Sequence, residues 1–170
     1  DCYLVSAFSS MAKVNPKAIE DAIHDNGDGT FNVRFFEKSA SGKYIPVTKT
    51  VDSDLPIEIG SASKYGKARD PKERWVSVLE KGYAQWKGGY EAIGNGGNSG
   101  TVFEALTGKK PSHTFVKSAA PDQLFKKMTE AVTSGRAVSV GTYHKDSGVN
   151  YVGTGVYGNH AYSLLGTTEE

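Results

Sequence analysis

A single cysteine, Cys2, rules out an internal disulfide, so the fold must rest on its packed core. Charge of one sign is also missing. Twenty basic and 19 acidic residues are interspersed and leave a net charge of +1. That balance lacks the basic stripe of a nucleic-acid binder. No apolar run approaches the roughly 20 residues needed to cross a bilayer, and no signal-peptide or transit pattern is visible. No two histidines stand at i, i+4, and there is no second cysteine, so a structural zinc site is not expected. "GNGGNSG" (94–100) has no Lys-Ser/Thr for a phosphate loop, and Ser99 breaks a dinucleotide fingerprint. "DNGDG" (25–29) carries no acidic residue at the twelfth position of a calcium loop, where Phe36 stands, and reads as a tight turn.

The 170 residues, 38% of them hydrophobic, suffice for one sizeable domain or two small lobes. The expectation is a soluble chain, either cytoplasmic or a domain of a larger exported protein. Twenty glycines gather mainly in loops around 27–29, 94–100 and 141–158; the middle one reads as a flexible surface loop able to move over a cleft.

The opening stretch puts Leu4, Val5, Phe8 and Met11 at helical spacing, with Ser6, Ala7, Ser9 and Ser10 filling the other faces. Small residues all round predict a helix packed on several sides, with Asp1 at its N-cap. "NPKAIEDAIH" (15–24) predicts a second helix, capped by Asn15 and closed near His24. Alternation of Phe31, Val33 and Phe35, then of Ile45, Val47 and Val51, predicts a β-hairpin, followed by an irregular stretch from 53 to 68. Asp70, Pro71 and Glu73 form a capping box ahead of the longest helix, whose stripe is Trp75, Val76, Leu79, Tyr83 and Trp86, and which Gly88 and Gly89 stop. Shorter helical segments follow at 101–108 and 120–135, the latter with Leu124, Phe125, Met128 and Val132 on one face. "RAVSVGTYHK" (136–145) and "GNHAYSLLG" (158–166) predict strands. His113 and His144 fall in loops.

Chemistry is carried by few residues. A thiolate is the reactive form of cysteine; a free thiol titrates near ~8.5, and a helix N-terminus or a nearby imidazolium lowers that value. Cys2 would have the first from the opening helix, and His160, on a strand, could supply the second. On pattern alone a lone cysteine such as Cys2 is more often a small core hydrophobe than a nucleophile.

Four blocks, in order, carry a resemblance: "DCYLVSAF" (1–8), "VDSDLP" (51–56), "WVSVLEKGYAQWKGGYEAIGNGG" with "FEALTGKK" (75–110), and "NHAYSL" (159–164). Together they resemble the protease core of the calpain family, papain-like cysteine peptidases. Tyr3 stands where the family has Trp, and Asn159 where it has Gly. The resemblance implies an α+β papain-like fold, with a helical lobe over 1–109 and the start of a β-rich lobe over 110–170. It implies Cys2 as nucleophile and His160 as general base and acid in a cysteine endopeptidase that acts on proteins or peptides, with no nucleic-acid or membrane partner and the oligomeric state left open. The family's triad asparagine and its oxyanion-hole glutamine fall outside the printed sequence, which implies a chain cut at both ends and a poor catalyst as it stands. The chemistry needs no cofactor. Glu91, in "GYEAIG", matches a calcium ligand of the animal members but reads equally as an ordinary exposed glutamate at a helix end, so calcium dependence does not follow. Two other functions keep the same fold: a non-catalytic protein-binding module, and an acyl transferase that uses the Cys–His pair with an amine as acceptor.

Overall fold

The computed structural model describes residues 1–52, 54 and 74–169. Helix α1 (Cys2–Val14) is its axis. Leu4, Ala7, Phe8 and Met11 recur at three- and four-residue steps, so one stripe of the helix is apolar and fully buried. Burying side chains the size of Leu4 and Phe8 stabilises a fold by about 1.5–3 kcal/mol each. The serine face of the same helix is buried too, at Ser6 and Ser10, so α1 is packed on more than one side, as its small residues predict.

Asn15 ends α1 and caps α2 (Pro16–Glu20), its side chain accepting from the Ala18 N–H at 3.3 Å. The predicted second helix is cut short here. Residues 23–25 leave it to form strand β1 (Ile23–Asp25), pairing antiparallel with β2 (Thr30–Lys38) in the register Ile23↔Val33 and His24↔Asn32. The apolar spacing of Ala18, Ile19, Ala22 and Ile23 fits a helix, but the Arg34 N–H donates to the Ala22 carbonyl and draws the chain onto the sheet. His24 therefore sits in a strand and caps no helix. "DNGDG" is the β1–β2 turn: Asp25 Oδ1 accepts from the Gly27 N–H and Asp28 Oδ1 from the Thr30 N–H.

The predicted hairpin is β2 with β3 (Tyr44–Asp52), antiparallel over its full length from Thr30↔Asp52 to Lys38↔Tyr44. The sheet order is β1-β2-β3. Pro46 is tolerated because β3 is an edge. Val33, Phe35 and Val51 are buried, whereas Ile45, predicted to face inward, is 47% exposed near the hairpin tip. The capping box at 70–73, the irregular stretch at 53–68 apart from Asp54, and Ser53, Leu55 and Pro56 of the "VDSDLP" block lie outside the described residues. Helix α3 (Trp75–Lys87) ends at Gly88, φ 100°, and covers the sheet with Leu79 and Tyr83. Phe35 stacks on Trp86 at 5.2 Å and meets Tyr83 edge-on at 5.6 Å. Helices α4 (Tyr90–Gly94) and α5 (Ser99–Thr107) complete this core with Ile93, Val102, Ala105 and Leu106.

After Leu106 no described residue is buried. Helix α6 (Pro121–Thr133) turns Leu124, Phe125, Met128 and Val132 to one face, but that face is only half covered. The predicted strands are shorter than their patterns: β4 (Val138–Gly141) and β5 (Ala161–Leu164) pair antiparallel, Val138↔Leu164 to Gly141↔Ala161, and lie along α1. Beyond Gly141 the ladder stops because Thr142 turns to bond the loop around Tyr157 and His160. The architecture is mixed α and β. Among the described residues no helix is long and apolar enough to cross a membrane.

Candidate active site

Cys2 is the first residue of α1 and is half-buried. The intrahelical ladder begins after it, with the Leu4 N–H donating to the Asp1 carbonyl at 2.8 Å. Asp1 holds the N-cap position as expected, but its carboxylate makes no capping bond. The thiol therefore sits at the positive end of a 13-residue helix, where a negative charge is favoured.

His160 immediately precedes β5 and is exposed. Its backbone is pinned on both sides by one residue: the His160 N–H donates to Thr142 Oγ1 at 2.9 Å, and the Thr142 N–H donates to the His160 carbonyl at 2.9 Å. The imidazole packs edge-to-face on Tyr162, ring centroids 4.8 Å apart, with Tyr157 at 6.5 Å on another side. Tyr162 Oη accepts from the Tyr157 N–H at 2.8 Å and so ties the loop to the strand. Asn159 sits at φ 55°, in the left-handed region, and its N–H donates to the Tyr143 carbonyl at 2.8 Å. That conformation explains a glycine-or-asparagine choice at this position.

Cys2 and His160 line one cleft of about 550 Å³, together with Val5, Ser9, Ala161 and Tyr162 among others. The two residues singled out in the sequence are thus brought together, from opposite ends of the chain. The remaining histidines are elsewhere. His24 is in β1. His113 lies against Gly100 in the first turn of α5, where an added β-carbon would come within 2.5 Å of Cε1. His144 pairs with Asp146 at 3.0 Å on the surface. Glu91 is exposed in the first turn of α4. Among the described residues no three His, Cys, Asp or Glu side chains converge as a metal site.

Tyr3, next to Cys2, is buried, and that burial pushes its phenol up to about 12. The sequence reading passed over Tyr162, Thr142 and Tyr157. Tyr162 was accessible to it, because residues two apart on a strand share a face and Tyr162 follows His160 by two. Thr142 and Tyr157 reach the histidine through loop geometry that no local pattern encodes.

A family model described as calpain family cysteine protease matches residues 1–170. The chain is 29% identical to the calpain-type cysteine protease DEK1 of Arabidopsis thaliana, over 99% of this chain and 8% of that protein. It is 28% identical to the calpain-2 catalytic subunit of Gallus gallus, over 99% of this chain and 24% of that subunit, and 27% identical to calpain-9 of Mus musculus, over 98% and 24%. The chain thus spans a quarter or less of the curated relatives it matches.

Proposed function

The chain belongs to the calpain family of cysteine proteases, and on that premise we propose that it hydrolyses peptide bonds in proteins with Cys2 as nucleophile and His160 as general base and acid. The observation that carries the reading is the shared cleft: the thiol at the start of α1 and the imidazole at the start of β5 open into the same space. The papain-like arrangement, a cleft between a helical part over 1–109 and a β-rich part over 110–170, belongs to this proposal.

His160 takes the thiol proton, and the helix N-terminus favours the resulting thiolate. The thiolate attacks the scissile carbonyl and forms a C–S bond. His160 returns its proton to the departing amine as the C–N bond breaks. Water, deprotonated by His160, then releases the acid and regenerates the thiol. The Cys2 N–H precedes the first intrahelical bond and is available to donate to the oxyanion; one such donor contributes on the order of 10²–10³ in rate. Among the described residues Glu91 belongs to no group of three or more His, Cys, Asp or Glu side chains that could hold a metal ion.

The test is the rate of Cys2 alkylation by iodoacetamide between about pH 4 and 9, in the protein and in His160→Ala. A rate that stays high well below neutral pH and collapses in the variant is the expected result. A profile that follows an ordinary thiol near ~8.5 in both proteins would sink the assignment.

A further inference from the structure

Residues 138–164 meet α1 through hydroxyl groups where a core would ordinarily do the work. Beyond Leu106 the described chain contributes no buried side chain; Ala137 and Ala161 pack only partly on the core. What joins β4 and β5 to α1 is a set of serines. Ser139 and Ser163 are directly opposite each other across the β4–β5 ladder. Ser163 Oγ donates to the Ser6 carbonyl at 2.9 Å, and Ser10 Oγ donates to the Val138 carbonyl at 2.7 Å. Ser139 Oγ donates to Ser99 Oγ at 2.9 Å, and Ser99 Oγ donates to the Tyr3 carbonyl at 2.9 Å. Ser6 and Ser139 hydroxyls are 2.5 Å apart.

Each hydroxyl has one proton. Those of Ser99 and Ser139 are already committed, so Ser6 must donate to Ser139. The chain of bonds then runs one way, from Ser6 through Ser139 and Ser99 to the Tyr3 carbonyl. A serine within a helix can instead bond the carbonyl four residues back, which for Ser6 is that of Cys2; here its proton goes across the interface. Apolar contacts are non-directional and permit sliding, whereas this seam has a single register. That register matters because Ser163 is three residues past His160 and Ser6 is four past Cys2.

We propose that Ser6, Ser99, Ser139 and Ser163 are positioning residues, whose seam sets the spacing between Cys2 and His160. The inference rests on the Cys–His reading above. Removing one seam hydroxyl forfeits about one to two hydrogen bonds, enough to change the population of the paired arrangement by roughly tenfold. The buried core over Tyr3–Leu106 is built from other side chains, so the fold should survive the loss.

The experiment is the same alkylation profile, measured in Ser139→Ala, Ser139→Thr and Ser163→Ala beside the wild-type chain, with far-UV circular dichroism melts of each. The expected result is a low-pH rate that falls about tenfold in both alanine variants, is restored in Ser139→Thr, and is accompanied by a nearly unchanged melt; a merely structural role would not move the pH profile selectively. A low-pH rate that persists in both alanine variants overturns the seam and leaves the Cys–His pair standing. Failure of Ser139→Thr to restore what Ser139→Ala loses also overturns it, because packing and not the hydroxyl would then be responsible. A wild-type chain with no low-pH rate at all overturns the Cys–His reading and this inference together.

Discussion

Gly97 lies so close to the ring of Tyr3 that a β-carbon there would come within 2.5 Å of Cζ. Two residues on, Ser99 Oγ donates to the Tyr3 carbonyl. The glycine-rich segment between α4 and α5 is therefore clamped, by packing and by a hydrogen bond, to the residue beside Cys2. Glycine is required here for close approach; its backbone does not occupy the left-handed region.

Gly97→Ala should consequently cost about 1–3 kcal/mol through overpacking and slow Cys2 alkylation, since Tyr3 cannot yield without moving its neighbour. Gly94→Ala is the control, because nothing lies within 4 Å of its added carbon. Urea denaturation of the two variants measures the difference. Equal midpoints would show that the loop gives way freely.

A second close approach fixes the sheet against α3. A β-carbon on Gly82 would sit 2.8 Å from Val33 Cβ, and Val33 is fully buried. Gly82→Ala should therefore destabilise by about 1–3 kcal/mol, even though alanine is the better helix former. In a Val33→Ala background the same substitution should cost less, because the two Cγ contacts at 3.0 Å are gone and only the Cβ contact at 2.8 Å remains. The coupling energy from a double-mutant cycle in urea is the measurement, and additive costs would mean that strand and helix separate without strain.

The Tyr3 phenol gives a pH prediction. Burial raises it from its ordinary value of 10.0 to about 12, and burial also raises Tyr83. A raised acid keeps its proton longer in the folded state. The stability this represents is fully present below about pH 10 and is lost as pH rises toward about 12. Tyr3→Phe should flatten the fall in urea midpoint between those two values. An unchanged alkaline slope in Tyr3→Phe would assign the fall to other groups.

These contacts also show how far the sequence could be read. Helix α1, the β2–β3 hairpin and α3 were legible because each has a strong apolar period that the core rewards: Leu4–Phe8–Met11, Val33–Phe35, Leu79–Tyr83. That Cys2 and His160 open into one cleft was legible through the family blocks. The segment 15–24 misled because Ala18, Ile19, Ala22 and Ile23 satisfy a helical face while the last of them is claimed by a strand partner, Val33, which only tertiary pairing reveals. At 94–100 glycine marks both flexible and closely approached backbone, and composition does not show the approach of Gly97 to Tyr3. The serines were the least legible of all. Ser139 and Ser163 look like ordinary strand-surface residues until the register sets them opposite each other and against α1.

Asn159 offers the sharpest test of local geometry, because it directly precedes His160. At φ 55° a residue other than glycine loses roughly 1–2 kcal/mol, with asparagine the best tolerated. Asparagine is among the few side chains other than glycine's that tolerate this turn. Asn159→Gly should leave stability within about 0.5 kcal/mol, Asn159→Ala should cost about 1 kcal/mol, and Asn159→Val should cost more because a β-branched side chain is worst suited to that region. If the backbone relaxes to escape the strain, the bond from the Asn159 N–H to the Tyr143 carbonyl is lost and the imidazole turns away from the cleft. The low-pH alkylation rate should then rank Gly and Asn above Ala, and Ala above Val, in step with the urea midpoints. Identical stabilities across the four residues would mean that the turn is not enforced and that the position of His160 is set elsewhere.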